Sequence, residues 1–231
     1  MRILTANLRE GLADAAALRA LLVERDIDVA CFQELGPAQA EAIRDALPHG
    51  LLEPGEGARR FLGGGIAARS PLDVRRLPLP GRDAFRAELH PEAWPGLDVL
   101  GGVELLSAHV LVPFSRRSWP PWRIPAIRRR QVRALLDHLD AAPGCSRLLV
   151  GDLNSTPSMA AYREFTSRLR DLHLDDARAS GRRPPPTWGP SPRGPRLWRL
   201  DHALAHGLDG ARVEVVRLQG SDHAGLVVEV G

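Results

Sequence analysis

The sequence predicts an α/β fold in which two packed β-sheets carry helices on their outer faces. Three observations lead there. Short apolar runs bounded by turn residues, the mark of strands, recur along the 231 residues. Helical periodicity appears in four places among them. The middle, residues 50 to 109, is a run of strands without helices, which argues against a doubly wound parallel sheet.

The elements follow in order. The run Ile3-Leu4-Thr5-Ala6 predicts a strand over 2–7, and the next periodic stretch predicts a helix over 12–25. Val29-Ala30-Cys31-Phe32 marks a strand over 28–34, followed by a helix over 37–47. Five strands are then expected, over 50–53, 64–69, 72–77, 84–89 and 97–109. A long amphipathic helix covers 124–141, and Leu148-Leu149-Val150 marks a strand over 146–151. Pro157, after Ser155-Thr156, opens a helix over 158–169. Strands over 198–205, 211–217 and 224–230 complete the pattern. The Pro-rich stretches 113–125 and 181–197 read as loops, and neither is long enough to link separate cores. One domain over 1–231 is expected.

Composition narrows the class. Hydrophobic content of 44% and charged content of 26% are ordinary for a globular chain. No apolar stretch approaches the length of a bilayer span. Met1-Arg2 runs straight into a strand without a signal-peptide layout, so a cytoplasmic protein is expected. Cys31 reads as a core residue and Cys145 as a loop thiol. The chain has no Lys, and its 31 basic residues are all Arg. Seven fall between Leu105 and Leu136 and six between Ala177 and Leu200, with no acid in either segment. Such concentrated positive charge suits a phosphate-bearing partner.

Only two Asn occur, Asn7 and Asn154, and each follows an apolar run. A composition bias this strong against Lys and Asn makes the survivors candidates for chemistry. Other metal-capable or proton-transferring residues flank strands in the same way: Glu34, His109, Asp152, Asp201, Asp222 and His223. Each alone has a bland explanation as a turn former. Together they occupy the strand ends, where a rigid sheet holds groups at fixed separations.

The segments Thr5-Ala6-Asn7, Phe32-Gln33-Glu34, Ser107-Ala108-His109, Gly151-Asp152-Leu153-Asn154, Arg199-Leu200-Asp201 and Gly220-Ser221-Asp222-His223 occur in this order. Gly63-Gly64-Gly65-Ile66-Ala67-Ala68-Arg69-Ser70-Pro71-Leu72 adds a seventh piece. In these residues the chain resembles the endonuclease/exonuclease/phosphatase superfamily. The resemblance implies a DNase I-like α/β four-layer sandwich, with two packed, mostly antiparallel β-sheets flanked by helices. It also implies a hydrolase for phosphoester bonds that uses Mg²⁺ or Mn²⁺, ions that hard oxygen ligands select. Glu34 is then the main metal ligand, with Asn7 beside it as a neutral ligand or orienter, and Asp222 serves a second or alternate metal position. Asp152 aligns and deprotonates the attacking water, and Asn154 positions that water or a phosphate oxygen. His223 contacts the scissile phosphate, Asp201 fixes its tautomer, and His109 donates to the phosphate.

The chain departs from the family in two respects. Abasic-site endonucleases of this fold place a Tyr between the His and the Gly-Asp-x-Asn segment; here the only Tyr is Tyr162. An Arg from 116–130 is expected in its place. No insertion is large enough to carry extra helices for gripping duplex DNA. Residues 115–123 interleave Arg with Trp, as surfaces that stack bases do. Arg116, Arg117, Trp119, Trp122, Arg128 and Arg199 are the expected substrate-binding residues. A nuclease for DNA or RNA is the leading expectation. The alternatives are a phosphatase or phosphodiesterase for a small or lipid-linked phosphate, with a membrane surface as partner, and a non-catalytic nucleic-acid-binding module. No obligate protein partner is evident.

Overall fold

A computed structural model describes the chain except residues 95, 96, 98–100, 114–119, 121 and 231. Twelve strands and five α-helices are described. The first sheet has the order β11-β12-β1-β2-β4-β3. It is built from β1 (Arg2–Asn7), β2 (Val29–Gln33), β3 (His49–Glu53), β4 (Gly64–Ala68), β11 (Arg212–Arg217) and β12 (Ala224–Glu229). The second sheet has the order β5-β6-β7-β8-β10-β9. It holds β5 (Val74–Leu79), β6 (Arg82–Leu89), β7 (Val103–His109), β8 (Arg147–Asp152), β9 (Arg170–Asp171) and β10 (Asp201–His206). Each sheet has one parallel pair at its centre, β1 with β2 and β7 with β8, and antiparallel neighbours elsewhere. A parallel pair needs a crossover, and helices α1 (Ala15–Glu24) and α3 (Ile124–Ala141) supply the two.

The central strands read as unbroken apolar runs because both of their faces are buried. Ile3, Cys31, Leu105, Leu148 and Val150 point between the sheets. Their neighbours Leu4, Ala30 and Phe32 meet α1 and α2 (Pro37–Ala46) on one outer face. Leu106 and Leu149 meet α3 and α4 (Ala160–Thr166) on the other. This alternation gives the four layers expected from the sequence. Burial pushes the Cys31 thiol well up, so it acts as a small hydrophobe. Cys145 is exposed. No helix of the described residues is long and apolar enough to cross a membrane.

Some boundaries differ from expectation. β6 begins at Arg82, two residues early, because β5 turns through Pro80-Gly81 and Leu79 pairs with Arg82. β7 begins at Val103, where Gly101 and Gly102 both take positive φ; residues 98–100 lie outside the described residues. β10 starts only at Asp201, since Trp198 pairs with Trp188 in a loop. A 3₁₀ turn over Gly57–Leu62 and helix α5 (Leu172–Ala179) had no sequence expectation. Asp171 starts α5 by accepting a hydrogen bond from Leu174 N at 3.0 Å.

Candidate active site

The sheet ends converge on a cavity of about 830 Å³. From the first sheet it receives Glu34, Asp222 and His223; from the second, Arg82, His109, Asp152 and Asn154. Gly151 permits the close approach behind Asp152: with φ at 132°, a Cβ there would lie 2.0 Å from Ala108 O. Of the five described non-glycine residues with left-handed φ, Arg9, Glu10, Glu34 and Asn154 line the cavity. Backbone strain concentrated in this way is a pointer to function.

The two Asn meet on one atom. Asn7 Nδ2 and Asn154 Nδ2 each donate to Asp152 Oδ2 at 3.0 Å. Asn154 N also donates to Asp152 Oδ1 at 2.9 Å. Asn7 Nδ2 lies 3.4 Å from Glu34 Oε1, and Glu34 Oε2 accepts from Glu10 N at 2.8 Å. The Asn7 oxygen accepts from Arg9 N at 2.9 Å. That bond uses one of the two lone pairs of the Asn7 oxygen, while its Nδ2 holds Asp152.

Two imidazoles face the same carboxylate. His109 Nε2 is 3.6 Å and His223 Nε2 3.8 Å from Asp152 Oδ2. Their electrostatics differ in sign. Burial holds His109 well below its ordinary range, and the Arg82 and His223 charges push it further down. Burial also opposes charge on His223, yet Asp201, Asp152 and Asp222 outweigh it and lift the ring to about 10. Asp201 Oδ2 accepts from His223 Nδ1 at 2.9 Å. At neutral pH one ring is therefore neutral and the other a cation. Burial raises Glu34 and Asp152 above the usual carboxylate range, against the pull of His223.

Potential metal ligands fall into two groups. Asp152, Asp201 and His223 offer donor atoms within 4.8 Å of one another. Within this trio His223 Nδ1 is engaged by Asp201 at 2.9 Å, and its Nε2 lies 3.8 Å from Asp152 Oδ2. Glu34, Asp222 and Glu10 are the partly exposed carboxylates of the cavity wall, and Glu10 is paired with Arg60. Burial raises Glu34, which leaves it short of positive charge, and carboxylate oxygens of this kind fit a hard divalent cation. Asp222 is itself held, accepting from Trp188 Nε1 at 3.2 Å.

The expected substrate contacts fare differently. Arg199 is a correction: it is buried, with its guanidinium 2.6 Å from Asp171 Oδ2 and over the Tyr162 ring. Arg128 is a second correction. It donates to the carbonyls of Leu111, Leu153 and Asn154 and to Ser155 Oγ, tying together the loops that follow β7 and β8. Trp122 is 77% exposed and does not line the cavity. Arg116, Arg117 and Trp119 lie outside the described residues. His202 faces away from the site, as strand alternation predicts, with Nε2 2.7 Å from Ser155 O.

The sequence reading did not single out Arg82 or Trp188. Placing the strand start at 84 left Arg82 in a turn, outside the strand-end criterion that found the others. Trp188 sat in a Pro-rich loop, yet it stacks on Trp198 with centroids 5.1 Å apart, and both line the cavity mouth. That loop is wired to the site: Thr187 Oγ1 accepts from Asp201 N, and Ala224 N donates to Thr187 O.

Residues 4–223 match the Endonuclease/Exonuclease/phosphatase family, and the chain belongs to it. No curated protein matches the sequence. Among solved structures, sphingomyelinase C from Streptomyces griseocarneus is similar at 16% identity and a TM-score of 0.64, covering 100% of this chain and 99% of its own. A humanized D. rerio TDP2 is 16% identical with a TM-score of 0.69, covering 99% and 97%. A mannosyl-6-phosphatase from Bacteroides thetaiotaomicron is 14% identical with a TM-score of 0.65, covering 100% and 99%. At these identities the likeness shows the fold, and family membership supports a phosphoesterase.

Proposed function

We infer that this member of the endonuclease/exonuclease/phosphatase family is a divalent-metal-dependent nuclease, hydrolysing phosphodiester bonds by in-line attack of water. The observation that carries the chemistry is the buried Asp152, held by two amides between a neutral and a charged imidazole. Glu34 would hold Mg²⁺ or Mn²⁺, with Asp222 at a second or alternate position, and the ion would supply neutralisation of charge on the phosphoryl oxygens. Asp152 takes the proton of the attacking water, its carboxylate fixed by Asn7 and Asn154. His223 is kept protonated by Asp201 and lays its Nε2–H against a phosphoryl oxygen as negative charge grows there. His109, held neutral, offers a hydrogen bond to the same group without adding charge.

The stacked Trp188–Trp198 pair supports a nucleic-acid substrate, because Trp198 is 54% exposed at the mouth and offers a flat face for a base. A second reading has its own support. Leu12 and Val112 are exposed on the same mouth and suit a phosphate on an apolar or lipid carrier. A non-catalytic binding module is disfavoured, since each catalytic position is filled. The test is a panel of plasmid DNA, RNA, sugar phosphates and phospholipids with Mg²⁺ or Mn²⁺, using Asp152→Ala as control. Metal-dependent cleavage of nucleic acid that disappears in the variant is expected. Release of phosphate or head group alone moves the assignment to the second reading, and no hydrolysis at all leaves only the binding module.

A further inference from the structure

Helix α3 reaches the loops that carry His109 and Asn154 through two side chains. Arg128 and Gln131 are three residues apart in the helix and so share a face. Gln131 is buried; its Oε1 accepts from Leu111 N at 2.8 Å and its Nε2 donates to Pro80 O at 2.8 Å. Arg128 donates to the carbonyl of the same Leu111 and then crosses to the neighbouring loop. There it donates to Leu153 O at 3.2 Å, to Asn154 O at 2.8 Å and to Ser155 Oγ. The two loops are also joined directly. Val110 N donates to Asp152 O at 2.9 Å, and Asn154 Nδ2 donates to Val110 O at 3.0 Å. Helix α3 thus clips together the ends of β7 and β8 just beyond His109 and Asp152, where their strand pairing stops.

Two buried arginines, Arg147 and Arg199, close on carboxylates, Glu104 and Asp171. Arg128 does not: among the described residues its acceptors are carbonyls and a hydroxyl. Burial lowers its pKa, and the charge of Asp152 works against that fall. Its fork of donors is spent on backbone shape instead. The peptide it grips is one whose shape matters. Asn154 has a φ of 46°, a left-handed conformation that Asn tolerates and that its surroundings must fix. In that conformation Asn154 N and Nδ2 meet the two oxygens of Asp152, at 2.9 and 3.0 Å. Arg128 itself does not line the cavity.

We propose that Arg128 is a positioning residue of the site: by holding the carbonyls on either side of the Asn154 Cα, it keeps the Asn154 turn closed on Asp152. The proposal rests on the reading of Asp152 and Asn154 as the groups that hold the attacking water, and its first readout needs no turnover. With only two Asn in the chain, ¹⁵N-asparagine labelling gives two side-chain amide signals, and Asn154→Ala assigns them by removing one. Hydrogen exchange of both amides is followed by NMR in wild type, Arg128→Met and Arg128→Lys, with circular dichroism and thermal unfolding to check the fold. In Arg128→Met the Asn154 amide should exchange about 10–100-fold faster, the effect of freeing a hydrogen bond to a charged group. The Asn7 amide, which Arg128 does not touch, should keep its rate. Arg128→Lys, which keeps the charge without the fork, should fall between. With substrate, Arg128→Met should lower kcat about 10–100-fold and leave KM in place, and that loss should vanish where Asn154 is already Ala. Should Arg128→Met fail to fold, Arg128→Lys against wild type carries both readouts. An Asn154 amide that exchanges alike in all three proteins overturns the proposal, as does a kcat loss of equal size in the Asn154→Ala background. Faster exchange of both amides together with a matching fall in thermal stability overturns it too, by making Arg128 merely structural. Wild type that hydrolyses no phosphoester overturns the functional reading alone and leaves the amide result standing.

Discussion

In the first sheet the central parallel pair leads into Asn7 and Glu34; in the second, the equivalent pair leads into His109 and Asp152. The antiparallel strand beside the first member of each pair brings a cation, His223 ahead of β12 and Arg82 at the start of β6. Each half thus supplies a carboxylate, a neutral polar group and a positive charge. Neither half works alone, because the contacts that tune these groups cross between the sheets. Asn7 of the first sheet donates to Asp152 of the second, and Asp201 of the second holds the charge on His223 of the first. The difference lies in exposure. The Asp152 side chain is 2% exposed and the Glu34 side chain 19%. The second half is suited to proton transfer and the first to an ion that must enter from water.

Breaking the cross-sheet pair should have the largest effect. Asp201→Asn removes the charge that keeps His223 protonated, and kcat should fall by about 10²–10⁴-fold, the range for a proton-transfer group. Steady-state kinetics with a confirmed folded variant checks this; an unchanged kcat would mean that the pair is ornamental.

The two amides give the next effect. Asn7→Ala and Asn154→Ala should each lower kcat by roughly 10–100-fold, since each removes a hydrogen bond to the same charged oxygen. Because they share Asp152 Oδ2, their effects should not add, with a coupling of about 0.5–3 kcal/mol in a double-mutant cycle. Strict additivity would separate the halves again.

Arg199→Met should act on stability and spare the chemistry. It strands the buried Asp171 carboxylate and should cost about 3–5 kcal/mol in urea unfolding. The kcat/KM of the folded fraction should hold. A rise in KM without loss of stability would return Arg199 to the substrate.

The smallest effect is the response to pH, and its sign differs between the halves. His109 is depressed in the fold, so its contribution is present above the unfolded value near 6.5 and is lost as pH falls. His223 is raised to about 10, so its contribution is complete below about 6.5 and fades as pH climbs through 10. In chelator, His109→Gln should flatten the acid side of the Tm–pH curve and His223→Gln the alkaline side. The reverse pattern would contradict the charge assignment.

The strand ends were legible in sequence because a polar residue after an apolar run is a local signal. Asn7, Glu34, His109, Asp152, Asn154 and His223 do meet at one place through that signal. Arginine was not legible in the same way. A cluster of Arg along the chain reports charge but not the partner each guanidinium finds after folding. Arg128 finds carbonyls, Arg199 finds Asp171, and Arg82 emerges from a turn whose length fixed its place. Helix α5 escaped because its start depends on the side chain of Asp171 and its packing on β10 and β11, which are distant in sequence.

The pairing of β1 with β12 completes the site. The earliest strand in the chain is hydrogen-bonded to the latest, and His223 stands at the threshold of that last strand. Ser221 Oγ donates to Asn7 O across the same join, at 2.8 Å. In chain order Asn7, Glu34, His109 and Asp152 all precede the imidazole that completes their cluster. The pairing of β12 on β1 is thus the contact that brings His223 to the carboxylates carried by the earlier segments.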